Sequence, residues 1–503
     1  MNAQPVGTKG SYWVESTSSS AYPQLEGGAD ADVCVVGAGL VGITTAILLQ
    51  EGGRDVVLVE MDGVVRGVTG YTTAKVTSGH GLIYASLESS HGAETARGYA
   101  QANEAGLERV AELVDRYSID CDFERKANYA YCERPDDVDD IRAEVDAAAR
   151  AGLDVSLVTE TSLPFPVAAA IELRDQAQFH PRKYLLALLD VFTSNGGRVF
   201  EKTRATGINE GAPCVVETIG GEVRARHVVL ATHYPFVDRA LLFPRVHPKR
   251  SYVVAGPADR LPEGMFISST QPTRSVRTIP DGERTLLLVS GEGHSTGQEY
   301  ETEERYENLN RWGAEHFGLR TEYRWSTQDG SSLDQLPYVG TIRRGTDDVY
   351  TATAFNKWGF TNGTTAAEII SDAILGRTNE WAELFDVHRV TVKQSAEKFV
   401  SENTKVAIHF VRDRALHPQR TNVEDLAPGE AGVHRAGTQM IAAYRDEAGV
   451  LHQVSAICTH LRCVVSWNPA EKTWDCPCHG SRFDFDGRVI QGPAVHDLER
   501  VDP

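Results

Sequence analysis

Asp32-Val33-Cys34-Val35-Val36-Gly37-Ala38-Gly39-Leu40-Val41-Gly42 is the stretch that decides how most of this chain folds. The unbroken apolar run at 33–36 reads as a strand buried on both faces, and the G-x-G-x-x-G behind it as a turn from that strand into a helix. Helical spacing continues to Gln50. A second apolar run occupies 55–59, and Glu60 closes it at the distance where an acid meets a ribose hydroxyl. The glycines have separate tasks: a tight turn at Gly37, close backbone approach to a pyrophosphate at Gly39, and close helix–strand packing at Gly42. The helix N-terminus then faces the phosphates. The pattern predicts a dinucleotide site; a glycine-rich turn in an ordinary α/β domain is the alternative. The fingerprint does not choose between FAD and NAD.

The far end of the chain carries Cys458-Thr459-His460-Leu461-Arg462-Cys463 and Cys476-Pro477-Cys478-His479-Gly480-Ser481, two boxes that each pair a thiolate with an imidazole. Two Cys and two His are the ligand set of a Rieske [2Fe–2S] centre, where neutral His replaces Cys on one iron and raises the potential. Structural zinc accepts the same set. Each box also holds a surplus cysteine, Cys463 and Cys478, for which four-coordinate zinc has no use. Ser481 offers a hydroxyl to a cluster sulfur. Four of the eight cysteines fall in this window, which speaks against scattered core cysteines. Strand-like runs at 453–457, 464–467 and 482–485 suit a small all-β domain.

The boxes resemble the Rieske proteins of the cytochrome bc type. That resemblance implies Cys458 and Cys476 on one iron, His460 and His479 on the other, and a Cys463–Cys478 disulfide tying the loops together. Arg462 stands where that family usually has Gly, and Phe483 where it often has Tyr, whose lost hydroxyl lowers the potential. Residues from about 11 to 384 resemble the D-amino-acid oxidase / glycine oxidase superfamily of FAD enzymes, and this resemblance selects FAD. Gly70-Tyr71-Thr72-Thr73-Ala74-Lys75 matches the flavin-facing loop. Phe179-His180-Pro181 begins the helix before 197–208, where adenine is contacted near Ala205. The run 228–232 ends in Ala231-Thr232 and continues to His233 where the family reads ATG. Asp334-Gln335-Leu336-Pro337-Tyr338-Val339-Gly340 matches D-x-LP-x-x-G. Lys357-Trp358-Gly359-Phe360-Thr361 matches the glycine turn onto a helix facing the flavin pyrimidine.

The two resemblances imply an α/β, Rossmann-like FAD-binding domain of the GR2 type, an interleaved α+β substrate domain on an antiparallel sheet, and a small all-β Rieske domain. The expected division is an arm at 1–30, FAD-binding pieces at about 31–99, 175–249 and 326–390, substrate pieces at about 100–174 and 250–325, a linker helix at 391–420, and the Rieske domain at 421–503.

A net charge of −20, from 50 basic and 70 acidic side chains, argues against nucleic acid or anionic membrane as a partner. No run of ~18 apolar residues exists, so no membrane span is expected, and 1–28 lacks the apolar core of a signal peptide. Cys34, Cys121, Cys132 and Cys214 are dispersed, as in a reducing cytoplasm. Four residues are candidates for the chemistry. His80 and His233 are acid/base types in loops facing the isoalloxazine. Arg250 suits a substrate carboxylate by its bidentate fork, and Trp325 a wall of the substrate pocket. Plain structural or packing roles compete at each. Lys75 and Lys357 place positive charge near the flavin. The predicted function is a flavin-dependent oxidoreductase that takes a hydride from a C–N bond of an amine or amino acid and passes electrons from FAD to the cluster and on to an unidentified acceptor. The alternatives are an oxidase using O2 with a structural Rieske domain, and an electron-transfer module without its own organic substrate.

Overall fold

The computed structural model describes residues 10–389 and 423–501. The expected linker helix at 391–420 lies outside the described residues.

The strand Gly27–Val36 is central because its inner end, Val33 to Val36, is apolar on both faces and demands cover from both sides. It lies parallel to Gly221–Leu230 on one flank and Val56–Val59 on the other. Arg198–Phe200 extends the parallel set beyond Val56–Val59. Val349–Thr353 extends it beyond Gly221–Leu230, with Tyr338–Thr341 antiparallel at that edge. Leu40–Glu51 packs on Gly359–Leu375, so the two helices that start at the glycine turns share one face of this sheet.

The second sheet has nine strands. Its main order is Tyr323–Ser332, Val246–Pro257, Arg284–Ser295, Arg274–Asp281, Met265–Ser268, Glu124–Cys132, Ala169–Gln178 and Lys75–Val76. Val155–Val158 joins at Ala169–Gln178. Pairing is antiparallel except between Met265–Ser268 and Glu124–Cys132. The elements ignore the expected piece boundaries in places. Lys75–Val76 belongs to this sheet rather than the first, and Val246–Pro257 and Tyr323–Ser332 run across the expected divisions at 249/250 and 325/326. Within the expected substrate piece at 250–325, Thr302–Phe317 is a helix. The arm also departs from expectation. Tyr12–Glu15 is a helical turn with Trp13 fully buried, and residues 27–30 already belong to the central strand.

The C-terminal domain stacks a three-stranded sheet (Ala431–Ala436, Gln439–Arg445, Leu451–Ser455) and a four-stranded one (Ser466–Asn468, Thr473–Asp475, Arg482–Asp484, Val489–Gln491), all antiparallel. Its core gathers Trp474, Phe483, Val454 and the four box cysteines. Among the described residues no helix is long and apolar enough to cross a membrane.

Candidate functional site

The glycine turn is built as tightly as its sequence demands. Gly37 has φ +106°, and a Cβ there would lie 2.5 Å from the Ala231 carbonyl oxygen. A Cβ on Gly42 would lie 1.9 Å from the Gly37 carbonyl oxygen, so the helix seats directly on the turn. Gly39 is the N-cap of Leu40–Glu51. Glu60 accepts the Ala38 N–H at 2.8 Å and the Asp62 N–H at 3.1 Å, and burial pushes its carboxyl above the usual range.

A cavity of about 1140 Å³ opens from this turn. Of the predicted cofactor residues, Gly37, Gly39, Glu60, Thr72, Thr73, Lys75, Ala205, Ala231, Thr232, Lys357, Trp358, Gly359 and Phe360 line it. Gly42 and Thr361 sit behind the lining, Thr361 donating to the Thr77 carbonyl at 3.1 Å. Gly340 lies at the sheet edge with φ +136°. The loop 70–75 is held by donors from elsewhere. Ser11 reaches the Gly70 carbonyl (2.6 Å), Trp13 that of Thr72 (2.7 Å), Trp325 that of Tyr71 (2.9 Å) and Arg277 that of Ala74 (2.5 Å). Sequence reasoning missed Ser11, Trp13 and Arg277; the aromatic pair Tyr12-Trp13 in an otherwise polar arm was the available signal.

His80, His233 and Trp325 line the cavity. His80 is stacked on Trp358 at 4.6 Å, with Nδ1 2.6 Å from the Tyr99 hydroxyl and Nε2 2.6 Å from the Thr77 carbonyl. The carbonyl requires a proton on Nε2, so Nδ1 accepts from Tyr99 and both nitrogens are engaged. Burial holds the ring neutral, down at about 3. His233 adopts φ +64°, the conformation glycine supplies in the ATG turn, and burial lowers it to about 4. Its Nδ1 lies 4.0 Å from Asp329, which the sequence reading missed. Asp329 accepts the N–H groups of Lys357 and Gly330, and burial raises its carboxyl to about 6. The Lys357 ammonium donates to Ser251 at 2.9 Å; Lys75 instead spends its ammonium on the Phe266 carbonyl at 2.7 Å. Arg250 is the correction. It does not line the cavity; its guanidinium is buried and Nη2 bonds Glu471 of the C-terminal domain at 2.5 and 2.7 Å. Its Nη2 is thus already taken by a carboxylate, while Nε and Nη1 are buried without a hydrogen-bond partner.

In the C-terminal boxes Cys463 and Cys478 are joined, S–S 2.09 Å. The Cys476 sulfur lies within 4.8 Å of both, but their bond to each other leaves Cys458 and Cys476 as the free thiols. The His460 and His479 rings are 5.1 Å apart. Both ring nitrogens of His460 and Nδ1 of His479 are buried without a hydrogen-bond partner. Burial holds both rings neutral, His460 down at about 4 and His479 at about 3. Buried, neutral, unpaired imidazole nitrogens in a domain that also buries two free thiols are what a metal cluster satisfies, and they are costly without one. Ser481 is fully buried; it accepts the Ala494 N–H at 3.0 Å and its hydroxyl reaches Cys458.

The two halves meet closely. Glu471 bridges Arg250 and Arg482; burial pushes its carboxyl up, but the two guanidiniums outweigh this and hold it at about 2. Gln328 donates to the Gly480 carbonyl at 2.8 Å, and a Cβ on Gly480 would lie 2.4 Å from that amide. Glu471, Arg482 and the run from Ile490 to Val495 line the same cavity as the glycine turn.

Comparison with known proteins agrees with this division. The model of the FAD dependent oxidoreductase family matches residues 32–373, and that of the Rieske [2Fe-2S] domain matches 419–502. The putative Rieske 2Fe-2S iron-sulfur protein YhfW of Bacillus subtilis is 37% identical over 496 residues, covering 98% of this chain and 97% of that protein. Gamma-glutamylputrescine oxidoreductase of Escherichia coli is 25% identical over 394 residues, 75% of this chain and 90% of that one. The crystal structure of glycine oxidase from Geobacillus kaustophilus superposes with a TM-score of 0.60 at 17% identity, over 72% of this chain and 99% of that one, a likeness of fold.

Proposed function

The chain belongs to the FAD dependent oxidoreductase family and carries a Rieske [2Fe-2S] domain, with FAD and a [2Fe–2S] cluster as its cofactors, and from this premise we propose that it oxidises a C–N bond of an amine or amino acid and sends the electrons from FAD through the cluster to an acceptor outside the chain. The observation that carries this reading is the shared cavity: the glycine turn and the C-terminal domain line one space, and the two box histidines face the FAD-binding half. FAD supplies two-electron chemistry and can release its electrons singly, which suits a one-electron partner. The turn Gly37–Gly42 and Glu60 would hold its pyrophosphate and ribose, and the Lys357–Phe360 turn its pyrimidine. Cys458 and Cys476 would hold one iron, His460 and His479 the other. Trp325 walls the donor pocket, while His80, with both nitrogens engaged, fixes Trp358 in place. The name of the E. coli relative supports an amine-type donor.

The test is anaerobic mixing with a panel of amines and amino acids, recording flavin and cluster absorbance together. The expected result is flavin bleaching followed by appearance of the reduced Rieske signal. A donor that bleaches the flavin while the cluster stays oxidised, with peroxide formed at the turnover rate in air, would replace this reading with an O2-using oxidase.

A further inference from the structure

The histidine side of the cluster site is closed by the chain's own FAD-binding half. The Phe243 ring stands 4.4 Å from the His460 ring and 5.3 Å from that of His479. Tyr234 stands 6.2 Å from His479 and 5.7 Å from Phe243. Tyr234 also lines the cavity, two residues beyond Thr232 on the turn that touches Gly37. Its hydroxyl lies 3.2 Å from the carbonyl oxygens of both Phe243 and Val246, which fixes the ring between cavity and cluster site. The approach is held from both sides, by Gln328 on the Gly480 carbonyl and by Gly297, where a Cβ would come within 2.8 Å of Pro477.

We propose that Tyr234 and Phe243 form the contact through which electrons pass between the flavin cavity and the His479/His460 side of the cluster. This rests on the electron flow proposed above and specifies its route. Oxidation of a C–N donor to the imine releases two electrons and two protons. The electrons cross the contact one after the other, each reducing one ferric iron to ferrous, and a one-electron acceptor reoxidises the cluster between them. The protons leave to solvent from the flavin side. Because Phe243 covers His460, the outside acceptor takes its electron from another face of the domain. The filled aromatic contact matters because electron tunnelling weakens steeply across any gap left in packing.

The test uses the full-length protein loaded with FAD and iron. A flash of 5-deazaflavin radical reduces the bound flavin, and the concentration-independent appearance of reduced cluster is timed. Tyr234→Leu and Phe243→Leu are each expected to slow this step about tenfold or more, and Tyr234→Phe, which keeps the ring, to stay within about twofold of the parent. Iron content and the paramagnetic resonance of the reduced cluster are expected to be unchanged in all three. Leu variants that keep their iron and the parental rate would overturn the route. If Tyr234→Leu loses iron, Phe243→Leu, in a half-buried loop position, decides alone. A parent protein that holds both centres yet shows no intramolecular step would instead overturn the proposed electron flow, and the route with it.

Discussion

Ser481 concentrates the chemistry of the cluster site in one hydroxyl. It accepts the Ala494 N–H, which leaves its own proton free for the Cys458 sulfur. A hydrogen bond to a charged sulfur contributes about 1.5–3 kcal/mol, and it favours the more negative reduced cluster. Ser481→Ala is therefore expected to lower the reduction potential while iron content stays at the parental value; redox titration of purified protein checks this, and an unchanged or raised potential would show that the hydroxyl serves only Ala494. Single residues were legible in the sequence where chemistry and backbone coincide. Gly37 and Gly42 occupy positions that no Cβ can enter. Arg462 and His233, noted as departures from glycine, keep the glycine conformation at φ +62° and +64°. Arg250 was not legible, because the partner that takes its guanidinium lies 221 residues away.

At the scale of elements, the turn between Ser466–Asn468 and Thr473–Asp475 carries Glu471 across the domain boundary. Glu471 answers two guanidiniums, that of buried Arg250 and that of half-buried Arg482, which Asp475 also holds at 3.0 Å. Removing one partner of a buried pair costs about 3–5 kcal/mol, because the other charge stays desolvated. Glu471→Gln is thus expected to lower the unfolding midpoint of both halves, seen as earlier loss of flavin and cluster signals on denaturant titration; a midpoint equal to the parent's would mean the network is solvated. Glu471 so ties the two halves together. Before Leu107, Tyr99 is the one large buried side chain of Ala93–Arg116; its other contacts there are made by Ala96, Ala100, Ala102, Asn103 and Gly106, small or polar residues that weaken the apolar period. Gly106 is required there: a Cβ would lie 2.5 Å from the Thr361 carbonyl oxygen of the facing helix. Thr302–Phe317 escaped notice because Tyr306, Leu309 and Phe317 are its only large buried side chains in a charged run.

For the whole molecule, acid stability follows from histidines buried neutral. Burial pushes His80 and His180 down to about 3 and His233 to about 4. The unfolded chain protonates these rings near pH 6.5 and the folded chain does not, so their stability contribution is complete above that pH. It falls as pH drops toward the folded values, by about 1.4 kcal/mol per pH unit for each ring. His180 lies outside the cavity and caps the helix Pro181–Ser194 by accepting the Lys183 N–H. His180→Asn keeps an N-cap acceptor and is expected to flatten the stability profile between pH 4 and 6 by one proton; an unaltered slope would mean His180 is not neutral in the folded protein. The docked arrangement also imposes an order on biosynthesis. Arg250 and Gln328 leave the ribosome 221 and 152 residues before Glu471 and Gly480, the groups they bind. Domains fold from the N-terminus as synthesis proceeds, so the earlier half stands as a finished mould, one guanidinium still unanswered, and the iron-binding domain is cast against it as the last of the chain emerges.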